Sequence, residues 1–120
     1  MSSITPNKRL DTIYQKIVFI EEIIHEYNSI TKALNDEKLA KPSILMHLIA
    51  IAEQFNKLKE ENEFEILTQF DKSDLKGSYD IRNFIAHDYE GVNLMIVEKV
   101  LREKLPKLKN TIEQIRRRLV

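Results

Sequence analysis

The chain of 120 residues contains no cysteine, which excludes disulfide bonds, cysteine metal ligands and a cysteine nucleophile. Residues that break regular structure are also scarce, with two glycines and three prolines, and no run has the alternating pattern of a strand. Apolar residues instead recur with the period of a helix. The sequence therefore predicts an all-α fold, and its length suits one domain over residues 1–120.

The chain has no excess of charge of either sign, since Lys plus Arg and Asp plus Glu number 19 each. This balance neither favours nor excludes a nucleic-acid partner, and an RNA contact would need a local basic patch. No apolar run approaches the length of a membrane span, and residues 1–9 are polar without a signal-peptide pattern. We therefore expect a soluble, cytoplasmic protein without a membrane partner.

Apolar periodicity locates the helices. The long ones are expected at residues 8–27, 43–62 and 75–88, and a fourth is expected to start after Asn93 and to be kinked or interrupted at Pro106. Gly91 is expected to take positive φ where the third helix ends. Caps are expected at short polar residues: Ser29 or Thr31, Ser43, one of Asp71, Ser73 and Asp74, and Asn93.

The helix that starts near Ser43 is apolar on all sides at first. His47 is the only polar residue between Ile44 and Ala52. A helix of this kind requires burial on more than one side, which a small monomer struggles to provide. The pattern therefore predicts a homodimer that uses this helix.

The most informative stretch is Ile-Arg-Asn-Phe-Ile-Ala-His-Asp-Tyr at residues 81–89. At about 100° per residue, Arg82, Asn83 and His87 lie on one side of a helix, with only a small alanine between them. The remaining residues of the turn lie on the other side, which is mostly apolar and can pack inward: Ile81, Phe84, Ile85 and Asp88.

The three polar side chains suit chemistry at a phosphodiester. Arg82 offers a cation whose fork fits a phosphate, His87 can give or take a proton near neutral pH, and Asn83 can orient either group. The same residues also occur at such spacings by chance. On spacing alone, a structural role for Arg82 and His87 therefore remains open.

The stretch resembles the HepT toxins of the HEPN superfamily, whose motif is Arg, four variable residues, His, one residue and Tyr. Arg82, His87 and Tyr89 occupy the motif positions, and Asn83 supplies the polar residue that typically follows the Arg. The similarity extends from about residue 43 to the C-terminus. It includes Gly-Val-Asn-Leu at 91–94, Leu-Pro-Lys-Leu at 105–108, and Ile-Ala-Glu at 51–53, where Ala52 replaces the family's Gly.

This resemblance implies a small up-and-down bundle of about four to five main helices that forms a homodimer, with the motif helices meeting at a cleft. It implies a metal-independent endoribonuclease that needs no cofactor, the toxin of a type VII-like toxin–antitoxin pair. The implied partners are an RNA substrate and a minimal nucleotidyltransferase antitoxin of the MntA kind. That antitoxin would silence the toxin by transferring AMP to Tyr89.

Roles for individual residues follow from the resemblance and the chemistry together. His87 would do acid–base work, Arg82 would hold the phosphate and Asn83 would orient either of them. Tyr89 is expected to accept AMP, although a half-buried aromatic that ends the helix is the other interpretation. Glu53 would either support the cleft or be solvated.

Two other functions remain open at this point. One is a non-catalytic HEPN subunit that binds nucleotide or substrate for a partner nucleotidyltransferase. The other is a plain helical dimerisation protein in which Arg82 and His87 are structural. The presence of both an Arg and a His in the motif favours the enzyme, because a scaffold needs neither.

Overall fold

The computed structural model describes residues 4–119, with side chains from residue 6 to residue 118, and within that range it contains helices and no strand. The helices are α1 (Ile4–Tyr27), α2 (Ile30–Asn35), α3 (Ala40–Glu60), α4 (Phe64–Leu67), α5 (Lys72–His87), α6 (Leu94–Lys99), a π-helical turn (Val100–Lys104) and α7 (Leu105–Leu119). The last three segments form one continuous rod. Four long helices and two short ones therefore confirm the all-α prediction.

The long helices pack up and down. Lys109 of α7 bonds to Glu21 of α1 at 2.8 Å between Nζ and Oε1, whereas Arg116 near the end of α7 reaches Asp11. Helix α3 likewise runs opposite to α1, because Arg9 near the start of α1 pairs with Glu61, just after the end of α3. These contacts confirm the up-and-down bundle.

Helix α3 lies between α1 and α5 and supplies the largest share of the core. Its buried residues follow two helical stripes: Ala40, Lys41, Ile44, Leu45, Leu48, Ile51, Ala52, Phe55 and Leu58. One chain therefore buries most of the apolar start of α3, while Met46 stays 59% exposed. The all-apolar pattern does not by itself require a second subunit, and the homodimer remains a prediction.

Two helices begin earlier than the sequence indicated. Helix α1 starts at Ile4 rather than near residue 8, and the residues before it lie outside the described range. Helix α3 starts at Ala40, so the prediction that Ser43 caps it was wrong. Each helix carries a proline at its third residue. Proline is tolerated there because its missing N–H would have no partner within the first turn.

The other predicted caps are confirmed. Ser29 Oγ accepts the N–H of Lys32 at 2.9 Å, and the side chains of Asp71 and Asn93 cap α5 and α6 in the same way. Pro106 neither breaks nor ends its helix. The backbone widens into the π-helical turn, in which the N–H of Leu105 bonds to Val100, five residues back. This wider turn accommodates a residue that cannot donate a hydrogen bond.

The side chain that holds the start of α3 is Asp36, which lies four residues before Ala40, and not Ser43. Its carboxylate accepts the backbone N–H groups of Lys38, Leu39 and Ala40, at 3.2 to 3.3 Å, and the hydroxyl of Tyr27 at the end of α1. The bond from Tyr27, helped by the three backbone groups, lowers the pKa of Asp36 below its ordinary value. The same bond raises the pKa of Tyr27. Asp36 thus joins the ends of α1 and α3 through its charged form.

We expect Asp36→Asn to destabilise the protein at neutral pH and to have less effect in acid. A carboxyl whose pKa is lowered by folding contributes stability above its unfolded pKa of about 3.9, and loses that contribution as the pH falls further. Urea unfolding of both proteins between pH 7 and pH 3 measures the difference in the free energy of unfolding. That difference should shrink below about pH 4.

Glu37→Gln is the matched control, because the neighbouring Glu37 side chain is 84% exposed. Its difference from the unsubstituted protein should be small throughout. If the difference in the free energy of unfolding between the unsubstituted protein and Asp36→Asn stays constant down to pH 3, the charge of Asp36 does not provide the stability.

Candidate functional site

Two buried isoleucines fix the rotation of α5, the helix that carries the motif. Ile81 and Ile85 are each 1% exposed and lie one turn apart, so they anchor the inner face. Asn83, Ala86 and His87 are consequently exposed, and Arg82 is partly exposed. The prediction that Phe84 packs inward was wrong, since 50% of its surface is open. Ile81 and Ile85 are the fully buried apolar residues of α5, and Phe84 lies at the edge of the apolar side.

An open cleft of about 670 Å³ lies between α3 and α5. It brings together three of the residues singled out in the sequence, Glu53 from α3 and Arg82 and Asn83 from α5. Its other lining residues come from the same two helices: Ala52, Asn56, Lys57, Lys59, Glu60 and Tyr79. Ala52 is buried and small, which leaves room for the cleft between the helices.

Arg82 is held loosely. Its Nη2 lies 3.8 Å from Glu53 Oε2, and its Nη1 lies 3.5 Å from Asn83 Oδ1, at the long limit for a hydrogen bond. Both side chains of the ion pair are about half exposed, so the pair contributes little to stability. The guanidinium can therefore exchange Glu53 for an anion at small cost. Glu53, for which support of the cleft or solvation was expected, is an exposed residue that reaches Arg82.

His87 is exposed and does not line the cleft. It lies in the last turn of α5, four residues after Asn83 and therefore on the same helix face. Asn83 thus lies between the cleft and the imidazole. The chain brings Arg82 and Asn83 into one concave surface and leaves His87 beside it, facing solvent.

Tyr89 does not lie on the helix. Asp88 leaves the helical conformation, with φ −152° and ψ 87°, so α5 ends just before Tyr89, close to the predicted end at residue 88. Tyr89 is partly buried and packs against the core from the following turn. This position agrees with the interpretation of Tyr89 as a half-buried aromatic, and its two-residue distance from His87 keeps it beside the motif.

Gly91 closes the turn without positive φ, contrary to prediction. Its N–H donates to Asp88 Oδ1 at 2.9 Å. A Cβ atom at this position would overlap the Asp88 carboxylate. A larger residue would therefore displace the exposed Asp88 side chain and break the Asp88–Gly91 bond, which holds the turn that carries Tyr89.

Sequence reasoning missed Tyr79 and Asn56, which line the cleft one turn from Arg82 and Glu53 respectively. Helical spacing could have found them, because residues three apart share a face. Burial raises the pKa of Tyr79 above its ordinary value, so its hydroxyl stays protonated. Of the three consecutive arginines at residues 116–118, Arg116 pairs with Asp11 and Arg118 bonds to Gln69, so two of the three are already engaged within the chain.

The described part of the chain contains neither a cluster of metal ligands nor a helix that could span a membrane. Between residues 4 and 119, no three histidine, aspartate or glutamate side chains gather closely enough to hold a metal ion. In the same range, no helix has both the length and the apolar content needed to cross a bilayer.

Comparison with known proteins identifies the family. The family model described as "Ribonuclease HepT-like" matches residues 13–115, which include α3, α5, the cleft and most of the other two long helices. No curated protein and no solved structure matches the chain significantly. The match covers most of the chain, and the Arg82-x4-His87-x-Tyr89 motif lies within it. The chain therefore belongs to the HepT-like ribonuclease family.

Proposed function

We propose that the protein is a metal-independent endoribonuclease and the toxin of a type VII-like toxin–antitoxin pair, acting on RNA in the cytoplasm as a homodimer. The observation that carries the proposal is the arrangement on α5. Arg82 and Asn83 face an open cleft, and an exposed His87 lies one turn further along the same helix. Membership of the HepT-like ribonuclease family supports the reaction class.

The chemistry needs a base, an acid and a cation. The ribose 2′-oxygen attacks the adjacent phosphorus, the base takes its proton, and the bond from phosphorus to the 5′ oxygen breaks as the acid protonates that oxygen. His87 supplies one of these proton transfers and the partner's His87 supplies the other. Arg82 steadies the charge on the phosphate, and Asn83 orients His87 or the phosphate.

Exposed apolar surface near the motif supports a dimer in which the α5 helices meet. Phe84 is 50% exposed on α5, and Met95 and Ile96 are exposed on α6, which follows the motif turn. Apolar side chains of this size are costly to leave in water and are typical of an interface. A two-fold axis beside α5 would bring two copies of His87 together.

Tyr89 would be the site of control. A partner nucleotidyltransferase would join the Tyr89 hydroxyl oxygen to the α-phosphorus of ATP and release pyrophosphate. Tyr89 lies two residues after His87, in the turn held by the Asp88–Gly91 bond, so the bulky and anionic adduct would obstruct access to His87 and compete for Arg82.

One observation favours a second function. The cleft within a single chain contains Arg82 and Asn83 but not His87. That arrangement also suits a non-catalytic HEPN subunit, which would bind nucleotide or substrate for a partner nucleotidyltransferase. Substitution of His87 separates the two functions.

We expect His87→Ala to fold normally and to lower the rate of RNA cleavage by about 10²- to 10⁴-fold, because the acid–base group is removed. Cleavage of a labelled RNA in the presence of EDTA measures the rate. A DNA strand of the same sequence should remain intact, since it lacks the 2′-hydroxyl. The control is His25→Ala, because His25 is also exposed in the last turn of its helix. Equal rates for the two variants would reject the catalytic role and favour the binding subunit.

We expect Phe84→Glu to convert the dimer into a monomer and to abolish cleavage, because it places charge in the proposed interface. Light scattering after gel filtration measures the mass. Phe64→Glu is the control, since Phe64 is 53% exposed but lies on α4. If the unsubstituted protein is monomeric and yet cleaves RNA, the proposal that two subunits share the reaction centre would be contradicted.

We expect Tyr89→Phe to prevent the addition of AMP and to leave cleavage unchanged, because only the acceptor oxygen is lost. The intact mass after coexpression with a partner nucleotidyltransferase measures the modification. Tyr79→Phe should still gain the AMP-sized mass, which controls for the loss of a tyrosine hydroxyl elsewhere. Addition of AMP to Tyr89→Phe would assign the modification to another residue.

A further inference from the structure

The cleft extends from Arg82 away from His87. Helices α3 and α5 run antiparallel along it, so Arg82 lies opposite Glu53, while Tyr79 and Asn56 lie further along. His87 lies in the opposite direction from Arg82, about 7 Å along the helix axis at 1.5 Å per residue. The cleft is thus joined to the proposed reaction centre through Arg82 but is distinct from it.

Tyr79 gives the cleft a fixed aromatic wall. Its side chain is partly buried, packs against the core and also lines the cleft. A ring held in this way loses little conformational freedom when a flat group stacks on it. Every nucleic-acid base has such a flat face, and stacking on an aromatic side chain is how single strands are commonly held.

The charges of the cleft suit a strand with phosphates. Lys57 and Lys59 are exposed, and neither forms an ion pair with any residue that the structure describes. Of the two carboxylates, Glu53 faces Arg82 and Glu60 accepts a bond from the Asn56 amide at 3.3 Å. Two lysines are therefore available for phosphate contacts.

We propose that this cleft binds the nucleotide next to the scissile phosphate of RNA, with its base stacked on Tyr79 and the following phosphate held by Lys57 and Lys59. This inference rests on the proposed ribonuclease function and specifies how its substrate is held. Arg82 then binds the scissile phosphate at the end of the cleft. Specificity for the strand arises on α3 and the middle of α5, while the chemistry occurs at the end of α5.

The test uses DNA oligonucleotides that contain a single ribonucleotide, because only its 2′-hydroxyl permits cleavage. An abasic nucleotide is placed in turn at each position around that ribonucleotide. We expect one adjacent position at which loss of the base lowers kcat/KM by about tenfold, as expected for one stacked base. Tyr79→Leu should cleave the intact substrate about as slowly as the unsubstituted protein cleaves the abasic substrate. The abasic substrate should not slow Tyr79→Leu further, because the substitution and the loss of the base remove the same contact.

Tyr79→Phe is the matched control and should retain the full penalty of the abasic position, since it keeps the ring. Lys57→Ala combined with Lys59→Ala should weaken binding of the oligonucleotide. The slope of log affinity against log salt concentration should also become shallower, by an amount that corresponds to about one or two fewer released counterions. Lys38→Ala should change neither, because the exposed Lys38 lies near the opposite end of α3.

Failure of this inference is distinguishable from failure of the proposed function. If the unsubstituted protein cleaves none of the oligonucleotides nor any RNA, the ribonuclease function fails and the subsite fails with it. If it cleaves but no abasic position matters, or if Tyr79→Leu keeps the penalty, only the subsite is overturned. The abasic series in the unsubstituted protein decides this even if Tyr79→Leu does not fold. Loss of AMP transfer alone in the lysine variant would assign the cleft to the partner protein.

Discussion

Burial of α3 between α1 and α5 is the constraint on which the rest of the structure depends. Seven apolar side chains from Ile44 to Leu58 are buried, and they lie on two faces of this helix. No other element of the described chain has so much apolar surface to cover. The polar residues of α3 therefore point along the remaining sector, beside α5. The cleft is a consequence of this packing, since Glu53 and Asn56 can lie only where the core residues do not.

Helix α5 meets that constraint with few apolar residues. Ile81 and Ile85 set its rotation, and the cap at Asp71 sets where it begins. A small contact of this kind leaves most of the helix surface free for polar groups. It also leaves the half-exposed Phe84, which a single chain does not cover. Because α5 has few core residues and leaves Phe84 half exposed, it has a surface that the proposed second subunit would cover.

The site combines a weakly held cation with a firmly held ring. Arg82 is in water and paired loosely with Glu53, so a phosphate can replace the carboxylate. Tyr79 is partly buried and packs against the core. A binding surface that is fixed where it stacks and adaptable where it carries charge suits a flexible single strand. His87 lies outside the cleft, so the proposed acid–base chemistry would depend on what approaches the end of α5.

The sequence by itself determined the helical class, the long helices, the cap at Asn93 and the placement of Arg82, Asn83 and His87 on one helix, because periodicity and capping are local properties. It narrowed two further caps to short polar residues, among which the structure selects Ser29 and Asp71. Only the tertiary structure decided the start of α3, which depends on Asp36 and the distant Tyr27. It also decided the burial of the apolar start of α3 and the π-helical turn before Pro106. The sequence also could not predict that Tyr79 and Arg82 would line one cleft with Glu53 and Asn56. Those residues meet through the packing of two helices, and a single chain's sequence does not reveal which helix faces adjoin.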